Sequence, residues 1–160
     1  MRKILEYIEH ILGGPARVLM KMVEIIPNER IQFKPYDGAM SAAELVCHIL
    51  SVMQIHIHAI SEGYGIEEHA QRISVDPVNI NTTGKLIEHL NKVLRLIRDK
   101  LAGITPEVLE REIVYKQWND YKIQGWIALT YIIEEFFHHR GQLSVYLRLM
   151  DLKPPFLYTY

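Results

Sequence analysis

The chain contains a single cysteine, Cys47, and this scarcity excludes an intramolecular disulfide and any paired-cysteine zinc or redox motif. A chain without disulfides suits a reducing compartment, so we predict a cytoplasmic location. Charge of one sign is also lacking, because 18 Lys and Arg residues face 19 Asp and Glu residues and leave a net charge of −1. Proteins that bind nucleic acid through its phosphates carry a basic surplus or a basic stripe. We therefore expect no nucleic-acid partner.

Long hydrophobic runs are missing too, since the uninterrupted apolar stretches are far shorter than the ~20 residues that span a bilayer. Near the N-terminus, Glu6, Glu9 and His10 interrupt what would have to be the apolar core of an export signal. We expect neither a membrane span nor such a signal. With 160 residues, 49% of them hydrophobic, the composition predicts one globular domain over residues 1–160 with a core that needs no disulfide or metal for stability.

Apolar residues recur at helical spacing in four segments, which predict four long helices. In the first, the stripe keeps its phase across Gly13-Gly14-Pro15, but proline lacks the N–H of a helix interior. We expect helix 1 to be kinked or broken there, with a restart at Pro15 as one form. Ser41 and Glu44 form a capping box before the second helix, and Gly63 ends it. The segments are residues 4–26, 41–60, 83–101 and 124–150.

The connections between these segments decide the topology. Residues 63–81 read as a long crossover with one short helical turn at most, and residues 113–123 read as a small hairpin that turns at Asn119-Asp120. Four long helices without a convincing sheet predict an all-α fold, a four-helix bundle with a long crossover after the second helix. Such a crossover favours a topology other than simple up-down-up-down.

Histidine is abundant, with eight residues in the chain, and the helical pattern separates the candidates for chemistry from the rest. His69 stands beside Glu67 and Glu68 in the crossover, so we predict that it is solvated. His58 is predicted to face the polar side of the second helix. His10 and His89 have no second ligand-type residue one turn away on the same apolar face. The candidates therefore lie on the second and fourth helices.

The fourth helix pairs carboxylates and histidines four residues apart, the spacing that lets two side chains reach one ion. The apolar stripe places His139 toward the core and His138 toward solvent. By the same pattern Glu135 lies at the edge of the buried face, so Glu135 and His139 are the pair that an interior metal would meet. A metal needs a further ligand from another helix, and both His48 and His56 lie on the apolar side of the second helix. Spacing alone does not choose between them.

Other side chains are weaker candidates. Arg140 is predicted to face inward, where it must reach a carboxylate, a carbonyl or a substrate anion. Trp118 and Trp126 could line a substrate pocket, although aromatic residues at such spacing usually belong to a core. Cys47 is predicted to be a small buried hydrophobe and not a nucleophile.

Several motifs resemble those of the DinB/YfiT-like family of metal-dependent enzymes. The segment FHHRGQL at residues 137–143, followed by YLR at 146–148 and KPP at 153–155, is similar to the family's C-terminal signature, and SxxELxxHI at 41–49 is similar to its second-helix motif. The resemblance implies a four-helix bundle with a long crossover that holds one divalent ion by three ligands. Residue by residue, it implies His48 from the second helix and, at the family's HxxxH pair, Glu135 and His139. Glu135 replaces the first histidine of that pair.

The resemblance also implies a reaction class. Better understood relatives resemble thiol transferases that use low-molecular-weight thiols, and a divalent ion can turn either a thiol into a thiolate or water into hydroxide near neutral pH. We therefore expect a thiol S-transferase or a hydrolase, with a small-molecule substrate and a thiol as a possible cosubstrate. Two histidines and one carboxylate form an open site known for zinc and for non-haem iron. The ion is expected to be zinc, nickel, iron or manganese. The alternative is a non-catalytic bundle that binds metal or serves a structural role, and in either case we expect a homodimer.

Overall fold

The computed structural model of the chain describes residues 2–71 and 76–156, and its main feature is a bundle of four long helices. This confirms the predicted four-helix bundle, to which the connections add two short helices and a small sheet. In chain order the elements are α1 (Arg2–Glu24), α2 (Ala42–Glu62), β1 (Tyr64–Gly65), α3 (Glu68–Gln71), α4 (Thr83–Leu101), α5 (Pro106–Glu110), β2 (Glu112–Tyr115), β3 (Tyr121–Gln124) and α6 (Gly125–Leu149).

Helix α2 is the central element of the bundle. It packs most extensively against α6 and also against α4, while α1 packs against α4 and α6. Its composition is apolar enough to cross a membrane, with a mean hydropathy of 1.4, but 72% of that stretch is buried inside the fold. Burial on several sides explains the apolar composition, because a helix surrounded by others has little polar face.

The start of α2 is set by its capping box, as the sequence predicts. The Ser41 hydroxyl accepts a hydrogen bond from the Glu44 N–H at 3.1 Å, and the Glu44 carboxylate accepts one from the Ser41 N–H. Lys34 pairs with the same carboxylate at 3.0 Å. The hydrogen bond from the Ser41 N–H, with a further contribution from Lys34, lowers the pKa of Glu44, so the carboxylate of the cap stays ionised. The cap fixes where α2 begins and therefore where His48, about two turns later, points.

Helix α1 runs through Pro15 without interruption. The predicted restart at Pro15 is therefore wrong, because the helix does not break. Pro15 supplies no N–H to the Ile11 carbonyl one turn earlier, and Arg98 of α4 donates from Nη2 to the neighbouring Leu12 carbonyl oxygen at 2.6 Å. Packing of α1 against α4 and α6 outweighs a local cost of about 3 kcal/mol, which is a tertiary effect that the local pattern does not contain.

The connections form a three-stranded sheet in which β2 is central. β1 pairs with β2 in parallel, and β2 pairs with β3 antiparallel, with Ile113 opposite Ile123. Asn119 and Asp120 both have φ of 55°, the left-handed conformation that a tight turn requires. The predicted hairpin is confirmed. The predicted crossover also contains a short helical turn, α3, and its residues 72–75 lie outside the described residues.

Two histidines of this region are buried, contrary to the sequence prediction. His58 is 3% exposed and His69 is fully buried. Both rings contact the Glu62 carboxylate, His58 Nδ1 at 3.1 Å and His69 Nε2 at 3.3 Å. The predictions of a solvated His69 and an outward His58 are wrong because α3 folds back over the polar side of α2 and covers it.

The first residue of α6 is packed against backbone, and this predicts opposite effects of alanine at two glycines of the same helix. A Cβ at Gly125 would lie 2.8 Å from the Val108 carbonyl oxygen, whereas a Cβ at Gly141 meets nothing within 4 Å. We expect Gly125→Ala to lower the free energy of unfolding by about 1 to 2 kcal/mol. Gly141→Ala, the matched control, is expected to raise it by up to about 1 kcal/mol, the difference in helix propensity. Urea unfolding followed by circular dichroism measures both, and shifts of equal sign would contradict this packing.

Candidate metal centre

The candidate site lies between α2 and α6, which run antiparallel and face each other along their length. The rings of His48 and His139 have centroids 4.6 Å apart, and two turns further along α2 the ring of His56 lies 5.4 Å from that of Tyr131. Residues with higher numbers on α2 are thus opposite residues with lower numbers on α6. His48 and His56 therefore reach different parts of α6, roughly 12 Å apart along the axis.

The structure brings His48, Glu135 and His139 together. One nitrogen or oxygen atom from each side chain lies within 4.8 Å of those from the other two. Among the described residues, these three form the cluster of His, Cys, Asp or Glu side chains that could hold a metal ion. Glu135 and His139 are one helical turn apart on α6, and Glu135 Oε2 lies 2.9 Å from His139 Nε2. The pairing of helices thus selects His48 as the residue from α2.

Gln142, which the sequence analysis missed, orients the ring of His139. Its Oε1 lies 2.7 Å from His139 Nδ1, and its Nε2 lies 3.1 Å from His138 Nε2. The Nδ1–H of His139 donates to Gln142, which turns Nε2 toward Glu135. The sequence could have indicated this role, because His139 and Gln142 are three residues apart and so lie on the same side of the helix. A histidine that binds a metal through one ring nitrogen regularly donates a hydrogen bond from the other.

This arrangement fits a cation. A neutral imidazole has one N–H and can donate to only one acceptor, yet His139 has Gln142 Oε1 at one nitrogen and Glu135 Oε2 at the other. A positive species at Nε2, whether a proton or a metal ion, satisfies both sides. Two imidazoles and one carboxylate are ligands that zinc and other divalent transition metals accept. The donor set therefore suits a divalent ion.

The electrostatics of His48 favour metal binding at neutral pH. Burial, with a further contribution from His139, lowers the pKa of His48, and Glu135 opposes the shift. The imidazole is therefore neutral and its lone pair is available to a metal. The Glu135 side chain is 39% exposed, against 11% for His139. The centre is therefore more open to solvent at the Glu135 carboxylate than at the His139 ring.

His56, the alternative ligand from α2, is engaged elsewhere. Its Nδ1 lies 2.5 Å from the Tyr115 hydroxyl of β2, and its ring contacts Trp118 and Tyr131. Burial lowers the pKa of His56 to about 4. His56 is a neutral core histidine that ties the sheet to the bundle.

The weaker candidates for substrate binding, Arg140 and the two tryptophans, are not in the cluster of metal-ligand side chains. Arg140 is buried, as predicted, and its guanidinium lies 4.7 Å from the Phe137 ring. Trp118 stacks on Tyr115 at 4.6 Å, and Trp126 donates from Nε1 to Gln124. Both tryptophans are partly exposed.

Cys47 is buried, and burial raises the pKa of its thiol to about 12. A thiol of such high pKa is protonated and a poor nucleophile at neutral pH. This agrees with the prediction of a small hydrophobic residue.

Comparison with known proteins places the chain among relatives of the same architecture. The chain is 28% identical over 145 residues to YjoA of Bacillus subtilis strain 168, an alignment that covers 91% of this chain and 89% of YjoA. The crystal structure of YjoA, a DinB-like protein, matches with a TM-score of 0.76 and covers 97% of this chain and 96% of its own.

Two more distant structures share the fold. A DinB-like protein from Bacillus cereus ATCC 10987 is 16% identical, with a TM-score of 0.72 over 90% of this chain and 91% of its own. YfiT from Bacillus subtilis, described as a probable metal-dependent hydrolase with an unusual four-helix bundle topology, is 16% identical, with a TM-score of 0.68 over 95% of this chain and 88% of its own. The model of the DinB family matches residues 1–160, and this chain therefore belongs to the DinB family.

Proposed function

We propose that this protein is a divalent-metal-dependent enzyme in which His48, Glu135 and His139 hold the ion and the activated nucleophile is water or a low-molecular-weight thiol. The observation that carries the proposal is the convergence of these three side chains from two helices within 4.8 Å. The fold shared with YfiT, a probable metal-dependent hydrolase, supports it. A bound divalent ion supplies the chemistry by lowering the pKa of water or of a thiol toward neutrality.

The residues of the chain have distinct roles in this proposal. Gln142 holds the His139 ring so that Nε2 faces the site, and the partly exposed Glu135 leaves room for a small-molecule substrate. Cys47 does not supply a thiolate, because its pKa is raised by burial to about 12. In a transferase reaction the sulfur nucleophile would therefore come from a second substrate. The identity of the ion among zinc, nickel, iron and manganese, and a cytoplasmic location, stay predictions.

The test of the metal site is elemental analysis of tag-free protein purified without chelating resin. We expect near one divalent ion per chain in the wild type and its loss in His48→Ala and Glu135→Ala. The matched control is His138→Ala, which removes an exposed histidine of the same helix and is expected to keep the ion. A folded wild type that carries no ion and rejects added zinc, nickel, iron and manganese would contradict the proposal.

A second assay separates the candidate reactions. Metal-loaded protein is incubated with activated esters and amides, and separately with low-molecular-weight thiols and an electrophile. Metal-dependent release of acid supports a hydrolase, and metal-dependent loss of free thiol supports an S-transferase. A protein that binds the ion but turns over neither set of compounds would support the alternative, a non-catalytic or structural bundle. Analytical ultracentrifugation tests the predicted homodimer in either case.

A further inference from the structure

A groove of about 480 Å³ runs from His139 along the C-terminal half of α6, opposite the connection between α1 and α2. This volume lies in the range of small-molecule sites. We call it the tail groove. Its apolar walls are Tyr36 and Met40 from the connection, and Val145, Tyr146 and Leu149 from α6.

The tail groove exposes large apolar side chains side by side. Tyr36 is 70% exposed, Met40 40%, Val145 53% and Leu149 54%. Single exposed apolar residues are ordinary, but a contiguous set in a concave surface marks a binding site. The apolar surface here is left open to solvent and is available to a ligand.

Away from its His139 end, the tail groove is lined by uncharged groups. Of the described residues that line it, none carries a carboxylate, an ammonium or a guanidinium group. The Tyr146 hydroxyl is already used, because it donates to the Met40 carbonyl oxygen at 3.1 Å. A charged ligand group placed here would lose hydration without gaining an ionic partner. The groove therefore selects apolar, uncharged groups.

The tail groove is continuous with the candidate metal centre. His139, a member of the ligand group, lines the groove, and so does Gln142, which orients the His139 ring. A ligand that fills the groove thus ends against the ring of His139, the residue that the groove shares with the ligand group. This continuity argues for one molecule that occupies both.

We propose that the tail groove binds the apolar part of the substrate, so that the substrate class is small molecules with an uncharged alkyl or aryl group attached next to the reacting polar atom. This inference rests on the proposed function. Tyr36, Met40, Val145 and Leu149 are then the residues that determine which chain length the protein accepts.

The first test uses zinc-loaded protein and a series of alkyl hydroxamates from acetohydroxamate to octanohydroxamate, with affinity measured by calorimetry. We expect affinity to rise about two- to fourfold per added methylene until the groove is filled. In Val145→Lys the gain with chain length is expected to vanish while acetohydroxamate binds as in the wild type. The matched control is Val78→Lys, a valine that is 71% exposed and lies outside the groove.

The second test needs no metal, so the inference stands or fails separately from the proposed function. Metal-free protein is titrated with 1-hexanol and the methyl resonances of Met40, Val145 and Leu149 are followed by NMR. Shifts at these methyl groups in the wild type support the tail groove when those of Met40 and Leu149 are lost in Val145→Lys and kept in Val78→Lys. Hexanol without effect on them overturns it.

The outcomes are distinguishable. If acetohydroxamate binds but longer chains gain nothing, the tail groove inference is overturned and the metal site survives. If no hydroxamate binds to protein whose zinc content is confirmed, the ion has no open position for a substrate and the proposed enzymatic function fails, while the hexanol titration decides the groove. A dimer that dissociates in Val145→Lys, with no alkyl binding, would assign this face to contact between two copies and overturn the inference.

Discussion

Replacing His139 by alanine is expected to remove the bound ion and all metal-dependent activity while the bundle stays folded. The buried core spans all four long helices, and a core of this size does not depend on a metal for stability. Without metal, we expect the variant to lose no more than about 2 kcal/mol, the cost of leaving Gln142 Oε1 without its donor. With zinc at a hundred times its dissociation constant, the wild type gains about 3 kcal/mol and the variant gains nothing.

Thermal unfolding with zinc and with a chelator, measured beside activity, tests this expectation. His138→Ala serves as the control, because it removes the neighbouring exposed ring and is expected to retain both zinc stabilisation and activity. If the chelator alone unfolds the wild type, the ion has a structural role and the enzyme proposal is contradicted. If His139→Ala keeps a zinc-dependent stability gain, the ligand assignment is wrong.

Acid is expected to destabilise the protein through His56. Burial lowers the pKa of His56 from 6.5 to about 4, so the folded protein binds a proton there more weakly than the unfolded chain does. The effect is absent well above pH 6.5 and grows as the pH falls toward 4. At pH 5 this group alone lowers the free energy of unfolding by about 2 kcal/mol relative to neutral pH.

Two variants isolate the His56 contribution. Tyr115→Phe removes only the hydroxyl that bonds His56 Nδ1, and the double variant His56→Phe with Tyr115→Phe removes the titrating ring without leaving a buried hydroxyl unpaired. We expect the loss of stability between pH 7 and pH 5, from urea unfolding, to be about 2 kcal/mol smaller in the double variant than in Tyr115→Phe. Other buried histidines such as His89 are common to both proteins and cancel. Equal losses in the two proteins would refute this role for His56.

Much of the candidate site could be predicted because it depends on helical periodicity. The stripe of apolar residues on α6 correctly placed His139 and Arg140 inside and His138 outside. Glu135 was placed at the edge of the buried face, where the structure has it half-buried. These are properties of one helix and its single buried side, and the sequence contains them.

The choice between His48 and His56 could not be made in this way. Both lie on the apolar side of α2, with His48 half-buried and His56 buried, and they meet different turns of α6. Which histidine meets Glu135 and His139 depends on the axial register of α2 against α6, and the packing of the whole core sets this register. The resemblance to the DinB/YfiT-like family implied His48, and the structure places His48, and not His56, beside His139.

The errors have a common physical origin. A kink or break in α1 was predicted at Pro15, and His69 was predicted to be solvated and His58 to face the polar side of α2. Each of these predictions considered only neighbours in sequence. In the structure, contacts with α4 and α6 hold α1 together, and α3 covers the polar side of α2. Local signals were overridden where distant parts of the chain pack together.

The sequence by itself determined the helices, their caps, the inward faces and the pair of ligand-type residues on α6, because these follow from local hydrogen bonding and from a period of 3.6 residues. Only the tertiary structure decided that His48 meets this pair, that Gln142 orients His139, and that an apolar groove extends from the same histidine. Each of these depends on the register between α2 and α6 or on the path of the α1–α2 connection. Register is set by core packing summed over many residues, and no local stretch of sequence contains that sum.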